Sequence, residues 1–269
     1  MPLAAVLQMT STPEVAENLK TARQLLEQAR AAGAVLAVLP ENFALMGARE
    51  TDKFAVAEPP GRGPIQDLLA ETASGLGLWI IAGTLPLTLE HDRRVAAANL
   101  VFDASGRQVA RYDKIHLFDV DLPGRAESYR ESATMAPGQM PVIVETPIGK
   151  VGLAVCYDVR FPELFRALER QGAEIFSVPA AFTAPTGLAH WEVLLRARAV
   201  ENLAYVLASA QSGLHANGRE TFGNSLIVDP WGKVLDRRPQ GPGLVVAEID
   251  LTHQKELRDR FPALQHRRL

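Results

Sequence analysis

Residues 151–163 read "VGLAVCYDVRFPE". An apolar run climbs to Cys156 and a polar one follows it. Pro162 then opens "PELFRALERQ" (162–171), which has helical spacing with proline in its first turn. A strand, a sharp turn and a helix in succession belong to a fold that alternates strands with helices. The only cysteine of the chain sits at that junction.

Working outward, the same alternation recurs. "LAAVLQM" reads as a short buried strand, and the helix "STPEVAENLKTARQLLEQARAAG" follows it. Ser11 and Glu14 have capping-box spacing, and Gly33 stands where a helix-ending glycine belongs. "AVLAVLP" (34–40) and "LWIIAGTLPL" (78–87) read as strands. "NLVFDASGRQVARYDK" reads as a hairpin turning at Ser105-Gly106, and "PVIVETPIGKVGLAV" as another turning near Pro147-Ile148-Gly149. "AEIFSVPAAF", "AYVLASAQ", "NSLIVDPWGKVLDRR" and "GLVVAEIDL" supply further strands, and "HWEVLLRARAVENL" a further helix. No polar linker and no repeat divides the pattern, so the expectation is one domain over residues 1–269, a mixed sheet layered by helices.

Composition narrows the function classes. The 269 residues carry a formal net charge of −3 with both signs dispersed, so there is no basic track for a nucleic acid backbone. No apolar run approaches the ~18 residues of a membrane span. The N-terminus "MPLAAVLQMTSTPE" lacks a basic leader region, and a lone cysteine excludes an internal disulfide. The expected compartment is the cytoplasm. The six histidines (91, 116, 190, 215, 253, 266) show no ligand spacing, and there is no HExxH, CxxC, Walker or G-x-S-x-G pattern. Metal, phosphate-loop and serine-elbow chemistries therefore fare worse than a thiol-based one.

Three apolar strands end in reactive groups. "AVLAVLP" leads into Glu41, "QVARYD" into Lys114 and "VGLAV" into Cys156. In open α/β sheets ligands bind beyond the carboxyl ends of strands. A carboxylate, an ammonium and a thiol delivered to one such edge would make a nucleophilic site, with a base for the thiol proton and a cation for a developing oxyanion. Each also has a plainer reading: a buried filler thiol, a surface glutamate and a solvated lysine.

"LPEN" (39–42), "DKIHLFDVD" (113–121) and "GLAVCYDVRFPEL" (152–164) together resemble the nitrilase (carbon–nitrogen hydrolase) superfamily. The likeness runs on through "AHWEVLLRARAVEN", "GNSLIVDPWGKV" and "QHRR". These later blocks resemble the Nit branch, and within it the deaminated glutathione amidases more than the ω-amidases. Asn224 departs from the pattern, since relatives often carry His there.

The resemblance implies an α/β fold, a four-layer αββα sandwich, with a homodimer or higher homo-oligomer joined across helices such as "ELFRALERQ" or "HWEVLLRARA". It implies a catalytic set of Glu41, Lys114 and Cys156, a second glutamate at Glu131, and the Tyr157 backbone N–H as an oxyanion donor. It also implies hydrolysis of a C–N bond in a small carboxylated amide through a thioester, without a cofactor. Glu41 would serve both half-reactions, which calls for a carboxyl pKa moved towards neutrality, as partial burial can supply. Arg160, four residues past the nucleophile, is the expected carboxylate-binding residue. Phe182 and Thr186 are further pocket candidates by family position, whereas Tyr157 (its side chain), Asp158 and Trp191 read as scaffold. A nitrile, an N-carbamoyl amine or α-ketoglutaramate would suit the same triad. The non-enzyme alternative is a redox sensor built on one low-pKa cysteine, which would need neither Glu41 nor Lys114.

Overall fold

The computed structural model describes residues 1–122 and 127–268. Its logic is visible in the strand Leu3–Gln8, which is buried along all but its first residue. Side chains alternate across a strand, so a strand buried on both faces must feed two cores. Ala4 and Val6 enter one apolar cluster, and Ala5 and Leu7 enter another. The strand Ala34–Val38 divides the same way, with Leu36 and Val38 in the first cluster and Ala37 in the second.

A sheet that is apolar on both faces needs cover on both. On one face lie the helices Val15–Ala31 and Pro64–Leu76, which contribute Leu25, Leu26, Ile65 and Leu69 to the second cluster. On the other lies a second sheet, whose Val151, Leu153, Ile175 and Val206 join the first cluster. The helices Pro162–Arg170 and Glu192–Asn202 cover that sheet through Phe165, Leu168, Leu195 and Ala199. Helix, sheet, sheet and helix make the four-layer sandwich expected from the family resemblance.

The first sheet has eight strands, in the order Gly243–Glu248, Leu3–Gln8, Ala34–Val38, Trp79–Ile81, Val95–Phe102 and Leu85–Thr88, with Gln108–Asp113 and Met135–Ala136 also paired to Val95–Phe102. The second has six: Val142–Thr146, Gly149–Leu153, Ile175–Ser177, Tyr205–Ala208, Ser225–Val228 and Val234–Arg238. In each, three successive strands run parallel. Their carboxyl ends meet at one edge of the sandwich, where Met9 bridges to Gln211 in parallel.

Two local expectations need correction. The helix after the first strand starts at Val15 with no side-chain cap. Ser11 instead donates its hydroxyl to the Phe43 carbonyl at 2.9 Å, and the turn is held by Asn18, which accepts from the Thr12 N–H at 2.8 Å. A tertiary partner has taken the hydroxyl that the local pattern assigned to a cap. The segment 78–87 is also not one strand. It breaks between Ile81 and Leu85, where Gly83 adopts φ +60°. A Cβ on Gly83 would lie 2.0 Å from the Pro40 carbonyl oxygen, so the break lets the chain pass directly beneath the residue before Glu41.

Gly138 has the same function on the neighbouring strand end. Its N–H donates to the Lys114 carbonyl at 2.8 Å, and an added Cβ would lie 2.0 Å from the Asp113 carbonyl oxygen. Gly138→Ala should therefore lower stability by roughly 1–3 kcal/mol through forced backbone movement. Gly75→Ala, in the exposed part of the helix Pro64–Leu76 with no atom near its added Cβ, should raise stability by up to about 1 kcal/mol. Urea midpoints of the two variants check both signs, and equal midpoints would refute the close-approach account.

Candidate active site

Glu41, Lys114 and Cys156 all follow strand ends at the shared edge, and all are buried. Glu41 and Lys114 come from the first sheet and Cys156 from the second. The ammonium of Lys114 is the centre of the group. Its Nζ lies 2.8 Å from Glu41 Oε1, 2.9 Å from Glu131 Oε1 and 2.8 Å from Glu131 Oε2. The other oxygen of Glu41 accepts the Ala181 N–H at 2.8 Å, and Glu131 Oε2 accepts the Phe118 N–H at 2.6 Å. Each charge is thus fixed by more than one partner, as buried charges require.

Neutral hydrogen bonds tie the two strand-end loops together. Gln211 donates to the Glu41 carbonyl at 3.0 Å and to Ser11 Oγ at 2.7 Å, and Ser209 donates to the Leu39 carbonyl at 2.9 Å. Residues 209–211 follow a strand of the second sheet, and Glu41 follows one of the first.

Cys156 opens a short 3₁₀ segment, Cys156–Arg160, with φ +49°. That left-handed conformation costs a non-glycine residue about 1–2 kcal/mol, so something must hold it. The Cys156 N–H donates to the Pro179 carbonyl at 2.9 Å. Below it, the fully buried Asp158 carboxylate accepts from the Val155 N–H at 2.8 Å, the Tyr112 hydroxyl at 2.7 Å and the His116 N–H at 3.0 Å. His116 Nδ1 lies 2.7 Å from the same carboxylate, and its ring stacks on Phe161. Asp158 is therefore scaffold, in the specific sense that it locks the turn carrying the thiol.

The charge states follow from this packing. Burial and then the Glu41 carboxylate push the Cys156 thiol well above its ordinary 9.0, against the pull of Lys114. Burial works to lower Lys114, but Glu131 and Glu41 overcome it and hold the ammonium well above 10.5. Burial likewise works to raise Glu41, yet the Lys114 charge, hydrogen bonds from Cys156 and Lys114, and the Arg219 charge outweigh it and keep the carboxyl below 4.5. The expectation of a Glu41 pKa drawn towards neutrality is thus overturned, because burial arrived together with a cation. At rest the site holds a neutral thiol beside an ionised base.

Over these groups lies a cavity of about 190 Å³. Glu41, Lys114, Glu131 and Cys156 all reach it, and Tyr157, Phe182 and Thr186 form part of its wall. Arg160 does not line it. Its guanidinium lies 5.7 Å from the Tyr157 ring centroid and 5.3 Å from that of Phe182, and it meets His190 Nδ1 at 3.3 Å. It braces wall residues from outside the cavity, so its assignment as a carboxylate-binding residue has no support in this geometry.

Arg219, Lys53, Phe118 and Tyr129 line the cavity and were missed. Arg219 ends the turn of the hairpin Ser212–Leu214 and Glu220–Phe222. "HANGRET" signals that turn, but nothing local says the turn folds over a cavity.

Comparison with known proteins agrees with the geometry. A family model described as carbon-nitrogen hydrolase matches residues 3–259. The chain is 46% identical over 269 residues to a deaminated glutathione amidase of a Synechocystis strain, covering 98% of this chain and 97% of that protein. It is 43% identical to the deaminated glutathione amidase of Homo sapiens, covering 100% of this chain and 83% of that one. The crystal structure of the C. elegans NitFhit protein superposes with a TM-score of 0.92 at 37% identity, over 99% of this chain but only 65% of that longer chain.

The depressed Glu41 pKa has a consequence for stability. A group whose folded pKa lies below its unfolded value adds stability that is complete above the unfolded pKa and is lost as pH falls through the folded one. Glu41→Gln should therefore be less stable than wild type at pH 7. The gap should narrow once pH drops below the ordinary value of 4.5. Urea midpoints between pH 3 and 7 test this, and a gap that widens on acidification would contradict the ionised assignment.

Proposed function

The chain belongs to the carbon–nitrogen hydrolase family and is a hydrolase of C–N bonds, an amidase; we propose that Cys156, Glu41, Lys114 and Glu131 carry the reaction and that deaminated glutathione is the substrate. The single observation behind the assignment of roles is the contact of a buried, neutral Cys156 thiol with an ionised Glu41 whose charge is fixed by Lys114. The substrate is inferred from the full-length likeness to deaminated glutathione amidases.

The steps follow from the charge states. A proton will not leave sulfur for Glu41 on its own, because the thiol is pushed up and the carboxyl held down. Transfer occurs as the sulfur bonds to the amide carbon, when negative charge moves to the carbonyl oxygen. Lys114 and the Tyr157 N–H stabilise that oxyanion. The amide of Tyr157 lies in the first turn of its 3₁₀ segment, where there is no acceptor within the segment. Glu41 then returns the proton to the nitrogen, the C–N bond breaks and the amine departs, leaving a thioester. Water attacks the thioester carbon while Glu41 takes its proton. The second tetrahedral species expels sulfur, which recovers the proton, and a carboxylic acid is released. Glu131 spends both oxygens on Lys114 and so orients the ammonium rather than moving protons.

A redox sensor needs an exposed, low-pKa thiol. Cys156 is 6% exposed and its pKa is raised, which argues for the hydrolase. A thiol that must stay reduced also fits the cytoplasm. We read the chain as one catalytic unit, with the family match over residues 3–259 as support.

A dimer is the proposed assembly. Leu188, Val193, Val200 and Trp231 are all more than half exposed or at half exposure, at 81%, 61%, 50% and 59%. The first three lie on or next to the helix Glu192–Asn202, the outer layer of the sandwich. Such a face suits an isologous contact, and the helix Pro162–Arg170 has no comparable exposed apolar side chain. Sedimentation should give a dimer for the wild type and a monomer for Val193→Glu/Val200→Glu. A wild-type monomer at micromolar concentration would exclude this assembly.

The function is tested with an amide panel (deaminated glutathione, α-ketoglutaramate, a simple nitrile, an N-carbamoyl amino acid) and intact-mass spectrometry during turnover. Deaminated glutathione should be the fastest substrate, and a thioester adduct should be present on Cys156. Cys156→Ala should lose several orders of magnitude in kcat without unfolding. A variant retaining a tenth of wild-type kcat would remove Cys156 from the mechanism.

A further inference from the structure

We propose that Arg219 holds a carboxylate on the acyl portion of the substrate and so selects amides of short dicarboxylic acids over neutral amides. The proposal deepens the amidase reading and rests on it. It starts from the cations of the cavity wall, which are Lys53, Lys114, Arg130 and Arg219. Lys53 pairs with Glu50 at 2.8 Å, Arg130 with Asp121 at 2.9 Å, and Lys114 with Glu41 and Glu131. Among the described residues Arg219 has no carboxylate partner. Its Nη2 donates to the Ala181 carbonyl, its Nε is buried without an acceptor, and its guanidinium lies 5.2 Å from the Tyr129 ring centroid. It therefore brings to the cavity a positive charge that is felt by Glu41 but bonded to no carboxylate.

The turn that carries this side chain is also held in place. The Arg219 N–H donates to Asn217 Oδ1 at 3.0 Å, the Arg219 carbonyl accepts the His215 N–H at 2.9 Å, and Asn217 Nδ2 donates to the Gly47 carbonyl at 3.0 Å. A pre-ordered guanidinium with unused donors is suited to a carboxylate, which it binds by charge and by parallel hydrogen bonds.

The acyl side follows from the two-step chemistry. The nitrogen side must vacate so that water can approach the thioester beside Glu41. The acyl group stays on Cys156 through both steps. A fixed cation serves both half-reactions only if it holds the part that remains.

A purely structural role is the competing explanation. Arg219 bonds the carbonyl of Ala181, and the N–H of Ala181 holds Glu41. Loss of Arg219 through that route would disturb the base for every substrate alike, and would lower kcat.

The test uses two primary amides of equal chain length, glutaramate and pentanamide. Both release ammonia and differ in the acyl-side carboxylate. Arg219→Gln should cost roughly 10- to 100-fold more in kcat/KM on glutaramate than on pentanamide, expressed mainly in KM. Arg219→Lys should recover part of the difference, since it restores charge without the planar fork. Glutarate, the product diacid, should inhibit Arg219→Gln more weakly than wild type by a similar factor. Equal losses on the two amides, or a loss confined to kcat, would overturn the proposal and leave Arg219 as a support for Ala181. Wild-type protein that hydrolyses no amide at all would instead overturn the amidase reading itself.

Discussion

A lysine ammonium buried between two carboxylates is the constraint on which this site depends. Moving such charges out of water costs several kcal/mol per ion, and mutual attraction offsets the cost only with good geometry and further hydrogen bonds. Lys114 has all three of its donors on Glu41 and Glu131, and each glutamate takes a backbone N–H as well. The cluster still carries one excess negative charge. That excess, together with burial, keeps the adjacent thiol protonated. The resting enzyme thus stores a base and an acid side by side, and neither changes state until an electrophilic carbon arrives to accept the sulfur.

The backbone around the cluster shows how closely it is held. Gly83 passes under Pro40 and Gly138 under Asp113, at separations where no other side chain fits. Cys156 is kept in a left-handed conformation by a turn whose underside is Asp158. Two close glycine passages and one locked turn thus each fix the backbone next to one of the three reactive groups.

Much of this was legible in the chain. The three strand ends, the two hairpins and the alternation of strands with helices could be read from periodicity and punctuation, and the motifs around Glu41, Lys114 and Cys156 carried the layer order. What escaped depends on contacts between distant segments. Ser11 gave its hydroxyl to Phe43 instead of a helix end, and the strand near Gly83 broke for the sake of Pro40. The sign of the Glu41 shift depended on whether Lys114 or burial dominated, which spacing along the chain does not encode. Arg160 falls outside the cavity and Arg219 within its wall for the same reason. Proximity in sequence put Arg160 near the nucleophile, yet the turn directs it to the outside of the Tyr157 and Phe182 rings. Arg219, 63 residues beyond Cys156, reaches the cavity on its hairpin at about the same point as Ala181.

The seam between the two sheets has a consequence of its own. Glu41 and Lys114 ride on one sheet and Cys156 on the other, so the reactive contact exists only while the sheets hold their mutual alignment. Loosened states of proteins keep their helices and strands while the packing between layers becomes fluid. Such a state of this chain would retain its backbone spectrum and lose its chemistry. Turnover in this architecture is a gauge of inter-layer order, more sensitive than any measure of helix or strand content.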